Sequence, residues 1–333
     1  MFEGFNFQHF FDDISKKKIL IIGDVMIDTY LWGNVDRVSP EAPVPIVSDI
    51  IEESRLGGAA NVALNVKSLG AVPILCSVIG GDERGIIFLE LLEEQNLSDV
   101  GITVDEFRMT TQKTRVISGF KHLLRIDEEI ESSLSHRIQD SFVEMIHNLM
   151  KTGGIDAIVF QDYDKGVITK SLITEIVELA LKLNIPIMVD PKYRNFEHYE
   201  KVTIFKPNLK EFSKGLKVDL SKNEIDKLVV VGEKFRKTKQ QDILMLTLSD
   251  KGVLVLTKEG HHYLPAVVRD VTDVSGAGDT VISVAALCYA GGMTPVQTAA
   301  VANLAGGQVC EKSGVIPVIR DQLLSECLKN FVD

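Results

Sequence analysis

The chain has 333 residues, 45% of them hydrophobic and 25% charged, which is enough apolar content for one large α/β domain or two small ones. With 36 Lys and Arg against 47 Asp and Glu, the net charge is −11 and no basic block stands out, so neither nucleic acid nor an anionic membrane is an expected partner. No apolar run reaches membrane-spanning length, the N-terminus lacks the order of a signal peptide, and four scattered cysteines without a C-x-x-C read as reduced thiols, so a cytoplasmic protein is expected.

In chain order, the aromatics of MFEGFNFQHFFDDISKKK predict a short helix packed on the body. Lys18 to Ile22 is a nearly continuous apolar run, the mark of a strand buried on both faces. It runs into Gly23-Asp24-Val25-Met26-Ile27-Asp28. Ligands of open α/β sheets sit beyond the carboxyl ends of such strands, which makes Asp28 a candidate for sugar hydroxyls and leaves Asp24 open between ligand and cap. From Tyr30 to Glu53, Pro40, Pro43 and Pro45 exclude a helix and predict irregular edge strands. Leu56-Gly57-Gly58-Ala59-Ala60-Asn61 leads into a helix that stops at Gly70. Its paired glycines allow close backbone approach to a ligand, though helix–sheet packing asks for small residues too. A strand over Val72–Ile79 ends in a turn with Asp82 as helix cap. Thr111 to Ser118 turns through Gly119 into Leu123–Asp127, a hairpin. Segments 30–53 and 108–127 together suggest a small β lid over the carboxyl edge of the main sheet.

The second half alternates strand and helix in the doubly wound manner. Strands are predicted at Ala157–Phe160, Ile187–Val189, Thr203–Phe205, Ile243–Leu248, Val253–Thr257 and Tyr263–Val268, with helices over Ser171–Leu183 and Ile225–Thr238. Polar residues gather after these strands, at Asp162, Lys165, Lys192, Asn208, Glu211, Ser249 and Gly252. The last helices start at Thr294-Pro295, a cap followed by proline in the first turn, and at Ile319.

The stretch DVTDVSGAGDTVISV, from Asp270 to Val284, gives the clearest chemistry. Gly276 and Gly278 bare their amides before an apolar helix predicted from about Thr280 to Ala290, forming an anion cradle with the helix dipole behind it. A carboxylate, Asp279, stands where a phosphate would sit. It reads equally as a helix N-cap or as a base that takes a proton from a hydroxyl attacking phosphorus.

Gly57-Gly58-Ala59-x-Asn61-x-Ala63 with Gly70 and Gly80, and later Asp273-Val-Ser-Gly-Ala-Gly-Asp279, resemble the two signatures of the PfkB (ribokinase-like) carbohydrate kinases. The resemblance covers nearly the whole chain, and Val284 departs from the small residue common at that packing position. The stretches GDVMIDTYLWG, RVSPEAPVPIV, DYDKG and DVTDVSGAGDTVI are similar to the branch of the family that phosphorylates a heptose 7-phosphate on its anomeric O1. That resemblance implies a ribokinase-like three-layer sandwich with a mostly parallel central sheet and a small β lid, over a single kinase domain spanning 1–333. No H-x-G-H motif is present, so no nucleotidylyltransferase domain is expected. It implies ATP and Mg²⁺ as cofactors, with a monovalent cation as a further possibility, and a homodimer. Asp279 would be the base, with Gly276, Ala277 and Gly278 as the anion hole. Asn208 and Glu211 would place Mg²⁺ and phosphates through water. Asp28, Gly57, Gly58 and Asn61 would contact the sugar. Ser249, Gly252 and Asn303 would line the nucleotide, with Asn303 near the adenine. Arg37, Lys113, Arg115, Lys165 and Lys192 are the candidates for the substrate's own phosphate, with Asp162 beside them. Another sugar or sugar phosphate, such as a fructose phosphate, and a non-catalytic sugar-binding regulator stay open as alternatives.

Overall fold

Ile19, Leu20, Ile21 and Ile22 have no exposed surface, so β1 (Lys18–Gly23) is covered on both faces. Alternate side chains of a strand point to opposite sides. Ile19 and Ile21 accordingly join one apolar core while Leu20 and Ile22 join another. The chain is seen here as a computed structural model that describes residues 1–119 and 121–332; residue 120, inside the second expected lid segment, and residue 333 lie outside it.

The remaining elements follow in order. α1 (Phe7–Ile14) precedes β1, and β2 (Val25–Val38), β3 (Pro45–Gly58), α2 (Ala59–Ser68) and β4 (Val72–Gly80) come after it. Then come α3 (Glu83–Glu94), β5 (Gly101–Asp105), β6 (Gln112–Ser118), β7 (Lys121–Glu128), α4 (His136–Thr152) and β8 (Ala157–Gln161). α5 (Lys170–Leu183), β9 (Ile187–Asp190), β10 (Ile204–Phe205), α6 (Leu209–Leu216), α7 (Ile225–Thr238) and β11 (Ile243–Thr247) continue the alternation. The chain closes with β12 (Val253–Thr257), β13 (Gly260–Leu264), α8 (Ala277–Ala290), α9 (Pro295–Val309) and α10 (Arg320–Phe331).

Nine strands form the main sheet in the order β13-β12-β11-β10-β9-β8-β1-β4-β5. The pairs from β11 through β5 are parallel, and only β12 and β13 join antiparallel. α1, α2, α3, α8, α9 and α10 supply the core on one face; α4, α5, α6 and α7 supply the other. This is the three-layer α/β/α sandwich expected from the sequence. The parallel strands β1, β8, β9 and β10 deliver Gly23, Gln161, Asp190 and Lys206 to one edge of the sheet, with Gly23 paired to Gln161 and Gln161 to Asp190.

A second sheet, ordered β3-β2-β6-β7, rises from that edge. The 30–53 segment is more regular than expected. β2 and β3 form one long antiparallel hairpin, and β2 is interior rather than an edge, because β6 pairs with it in parallel. Pro40 and Pro43 fall in the connection and Pro45 opens β3, so none of them costs a ladder bond inside a strand. The hairpin expected around Gly119 is present as β6 and β7. The strand expected over Tyr263–Val268 lies earlier, at Gly260–Leu264, where it pairs with β12 before Pro265 interrupts it. α1 packs as expected, with Phe7, Phe10, Phe11 and Ile14 buried, and Phe2 stacks on Phe331 at 4.7 Å. None of the described helices is long and apolar enough to cross a membrane.

Candidate active site

The site is built around the first turn of α8. Gly276 has φ +79°, a left-handed conformation that favours glycine, and precedes the helix without any side-chain cap. α8 therefore begins three residues earlier than expected, at Ala277, and Asp279 lies inside its first turn instead of at the cap. The first amides of a helix have no acceptor within it, so this turn presents N–H groups and the positive end of the dipole.

Asp279 is only 4% exposed. One of its oxygens accepts from the Asn61 amide at 2.8 Å; the other accepts from the Gln161 amide at 3.0 Å and from the Tyr163 hydroxyl at 2.7 Å. Asn61 is held in turn by Asn65, whose amide donates to the Asn61 carbonyl at 2.9 Å. Burial pushes the Asp279 carboxyl up to about 6, while the hydrogen bonds from Asn61 and Tyr163 hold it down. Such a group is an anion at neutral pH and still basic enough to take a proton.

Beside it, Lys206 pairs with Asp190 at 3.1 Å, both buried, and Gln161 bridges Asp190 to Asp279. Gly278 looks onto this pair: a Cβ built there would lie 3.5 Å from Asp190 Oδ2 and 3.8 Å from Lys206 Nζ. Lys192 pairs with Glu211 and lies 5.2 Å from the Tyr163 ring centroid. Burial opposes its charge, but the Asp190 and Glu211 carboxylates hold its pKa above the ordinary lysine value.

Asn208 and Glu211 form the capping box of α6, with Asn208 Oδ1 accepting from the Glu211 amide at 2.8 Å and Glu211 accepting from the Asn208 amide at 2.9 Å. Among the described residues no group of three or more His, Cys, Asp and Glu could hold a metal ion. With one Glu211 oxygen in the box and the other on Lys192, the pair suits a hydrated ion that arrives with phosphates, not a protein cage.

The second sheet brings Asp28, Lys113 and Arg115 onto one face, since Asp28 is in register with Lys113 and Tyr30 with Arg115. Arg115 bonds Asp28, and its guanidinium lies 5.4 Å from the Tyr30 ring, with Arg55 4.9 Å from the same ring. Asp28 is buried against Gly57, where a Cβ would take the room of its carboxylate. Lys113 bonds Glu129 at 2.7 Å, and Lys165 reaches the same Glu129 at 2.8 Å. Arg37, by contrast, lies on the exposed outer part of β2.

Two aspartates shape the site without facing it. Asp24, left open above, accepts from the backbone amides of Tyr163, Lys165 and Val167, and so clamps the DYDKG loop. Asp162, expected beside the substrate, is 1% exposed and accepts from the Asp164 amide, Asn195 and Tyr199. Burial and the neighbouring Asp24 push its carboxyl up to about 7. Asn61, expected at the sugar, donates to Asp279 and is fully buried. Gln161, Tyr163, Asp190 and Lys206 stand among the polar residues that follow the parallel strands, but the sequence alone gives none of them a role of its own.

The nucleotide candidates converge on the segment that follows β13. A Cβ on Gly252, which has φ +98°, would meet Ala266 N at 2.6 Å, and the Asn303 amide donates to the Pro265 carbonyl at 3.0 Å. Asn303, Pro265 and Val267 line an open cleft of about 320 Å³. Ser249 stands exposed at the β11–β12 turn.

Solved structures with this architecture define the fold class. Phosphofructokinase-2 from Escherichia coli in complex with fructose-6-phosphate superposes with TM-score 0.74, at 16% identity over 93% of this chain and 97% of that one. Ribokinase from Arabidopsis thaliana complexed with ribose and ATP gives 0.71, at 16% identity over 93% and 98%. The fold is ribokinase-like. The pfkB family carbohydrate kinase profile matches residues 16–322, and the chain belongs to that family. Among curated relatives, the bifunctional protein HldE of Citrifermentans bemidjiense is 36% identical over 320 residues, which is 96% of this chain. HldE of Sulfurimonas denitrificans is 39% identical over 298 residues, or 89%. The chain spans 65% and 61% of the length of these two relatives.

The donor set of Asp279 carries a titration prediction. Hydrogen bonds to the ionised form lower an acid's pKa. Asn61→Ala removes one, so the Asp279 midpoint moves upward from about 6. The expected size is about one unit or more, the scale of one hydrogen bond to a charged group. Carboxyl carbon NMR across pH 4 to 9 (roughly the window of a perturbed carboxyl) reads it, and an unchanged or lowered midpoint counts against the bond.

Proposed function

We propose that this protein transfers the γ-phosphoryl group of ATP to the anomeric O1 of a heptose 7-phosphate, giving the 1,7-bisphosphate. The observation that carries the kinase chemistry is Asp279, a buried carboxylate with a raised pKa set in the first turn of a helix whose amides favour an anion. Asp279 takes the proton of the attacking hydroxyl. The amides of the Gly276–Ala277–Gly278 turn hold the charge that develops on the phosphoryl oxygens, and Lys192 adds a cation. ATP lies along the 264–276 segment, with its base in the cleft beside Asn303 and with Ser249 and Gly252 at its edge. A magnesium ion carried by the phosphates would supply charge neutralisation there, and Glu211 and Asn208 would hold it through water.

The heptose 7-phosphate assignment rests on the stretches of resemblance given above and is supported by the likeness to HldE. A kinase domain with the second sheet as its lid fits the start of that sheet at Val25, directly after the strand end at Gly23. The substrate's own phosphate meets Lys113 and Lys165, which already converge on the carboxylate of Glu129, an anion in the same place. Arg115 is bound by Asp28 and orients that carboxylate toward sugar hydroxyls.

A homodimer formed through the second sheet accounts for its other face. Val116 pairs with Leu124 and Thr114 with Ile126, opposite the face of Lys113 and Arg115, and Leu124 and Ile126 stand 57% and 44% exposed. Static light scattering at micromolar concentration is expected to give twice the chain mass, and a monomer there removes the pairing.

Two kinetic outcomes test the catalytic reading. Asp279→Asn should lower kcat by about 10²–10⁴ while ATP still binds, and the wild-type kcat/KM should fall as pH drops through the Asp279 midpoint near 6. Near-normal turnover of the Asn variant would return Asp279 to a structural role. On the substrate side, Lys113→Ala should raise KM for the sugar phosphate about ten- to a hundredfold with a smaller change for ATP, as expected for one charge-assisted contact. A wild-type preference for an unphosphorylated sugar would sink the heptose-phosphate assignment and leave the family.

A further inference from the structure

The three donors to Asp279 are not equivalent. Asn61 is 0% exposed and Gln161 1%, so both approach the carboxylate from inside the protein. Tyr163 is part-exposed, and its hydroxyl lies 2.7 Å from the same oxygen that Gln161 holds. That is the separation at which a hydroxyl must sit to hand its proton to the base. The phenol stays protonated, because burial and the Asp279 charge push its pKa well above the ordinary value. It therefore offers the base a proton that the base cannot take.

The backbone beneath this contact cannot wander. Asp24 accepts the amides of Tyr163, Lys165 and Val167 at 2.8, 3.1 and 3.0 Å, and Asp162 holds Asp164 from the other side. Only side-chain rotation frees the Tyr163 hydroxyl, and the Lys192 ammonium over its ring steadies the closed position.

We propose that the Tyr163 hydroxyl is a placeholder for the attacking sugar hydroxyl, a positioning residue that caps Asp279 until sugar displaces it and so keeps water from being activated against ATP. This rests on the reading of Asp279 as the base. In the unwanted reaction a water oxygen bonds to the γ-phosphorus, its proton passes to Asp279, and the bond to the β-phosphate oxygen breaks, giving ADP and inorganic phosphate. Polar groups of the sugar are strong enough to displace one phenol. A single water must compete with a hydroxyl already anchored by its own ring, at an entropic disadvantage.

The test is the rate of ATP hydrolysis by the full-length protein without sugar, beside the rate with sugar phosphate. Tyr163→Phe removes one oxygen and retains the ring. The sugar-free rate should rise about five- to tenfold, the change in occupancy that one net hydrogen bond commands. ADP formed per sugar product should also rise above one at low sugar concentration. A purely structural tyrosine would lower both reactions together. An unchanged or lowered sugar-free rate in the folded Phe variant overturns the proposal. If that variant does not fold, the wild-type protein decides with a sugar phosphate lacking the anomeric hydroxyl. That analogue should displace Tyr163, admit water and stimulate ATP hydrolysis, and no stimulation overturns the proposal equally. The double variant Tyr163→Phe/Asp279→Asn should lose the gained hydrolysis. Retention there, or an active Asp279→Asn kinase, removes the base reading itself and is distinguishable from a failure of Tyr163.

Discussion

A carboxylate with almost no exposure to water is the constraint around which this molecule is arranged. Burying an unpaired charge costs several kcal/mol, so Asp279 persists as an anion only because donors meet it. Those donors come from far away along the chain: Asn61 is 218 residues distant, Gln161 118 and Tyr163 116. No local motif can bring them together. The order of the nine-stranded sheet does, by setting β1 between β4 and β8 and by laying α2 and α8 side by side on one face. The fold and the raised pKa of Asp279 are thus consequences of a single arrangement.

Around this anion the cations of the site are each paired with a carboxylate. Lys206 meets Asp190, Lys192 meets Glu211, Arg115 meets Asp28, and Lys113 and Lys165 share Glu129. A carbohydrate kinase of net charge −11 that has to admit ATP needs local cations, and each buried cation needs a carboxylate beside it. Removing one member of such a pair exposes the other as an uncompensated charge, which makes these positions more sensitive than their modest net contribution suggests.

Much of the architecture was legible because it is written in local signals. The continuous apolar run of β1, the Thr294-Pro295 start of α9 and the Asp82 cap of α3 each specify an element by short-range physics. Gly276 and Asp279 were legible as a cradle with a carboxylate inside it. The roles of Asp24 and Asp162 were not. Each is an aspartate after a strand, and only tertiary contacts decide that it accepts amides from a loop instead of reaching a ligand. Tyr163 was legible only as part of a polar loop for the same reason: its partner Asp279 lies on α8, 116 residues away. The prolines of the 40–45 stretch misled because their cost depends on whether the ladder needs their missing N–H, and here they fall in a connection.

Trp32 is the only tryptophan in the chain, and it stacks on Tyr30 with ring centroids 5.9 Å apart. The Tyr30 ring also lies near two arginines, 4.9 Å from Arg55 and 5.4 Å from Arg115, and its hydroxyl accepts from the Val315 amide at 3.1 Å, where the second sheet touches the loop after α9. Any swing of that sheet relative to the body has to disturb this stack and its neighbouring cations, which quench or shift indole emission. The protein thus carries its own fluorophore where the second sheet meets the loop after α9, so any movement at that contact can be followed in real time without a label.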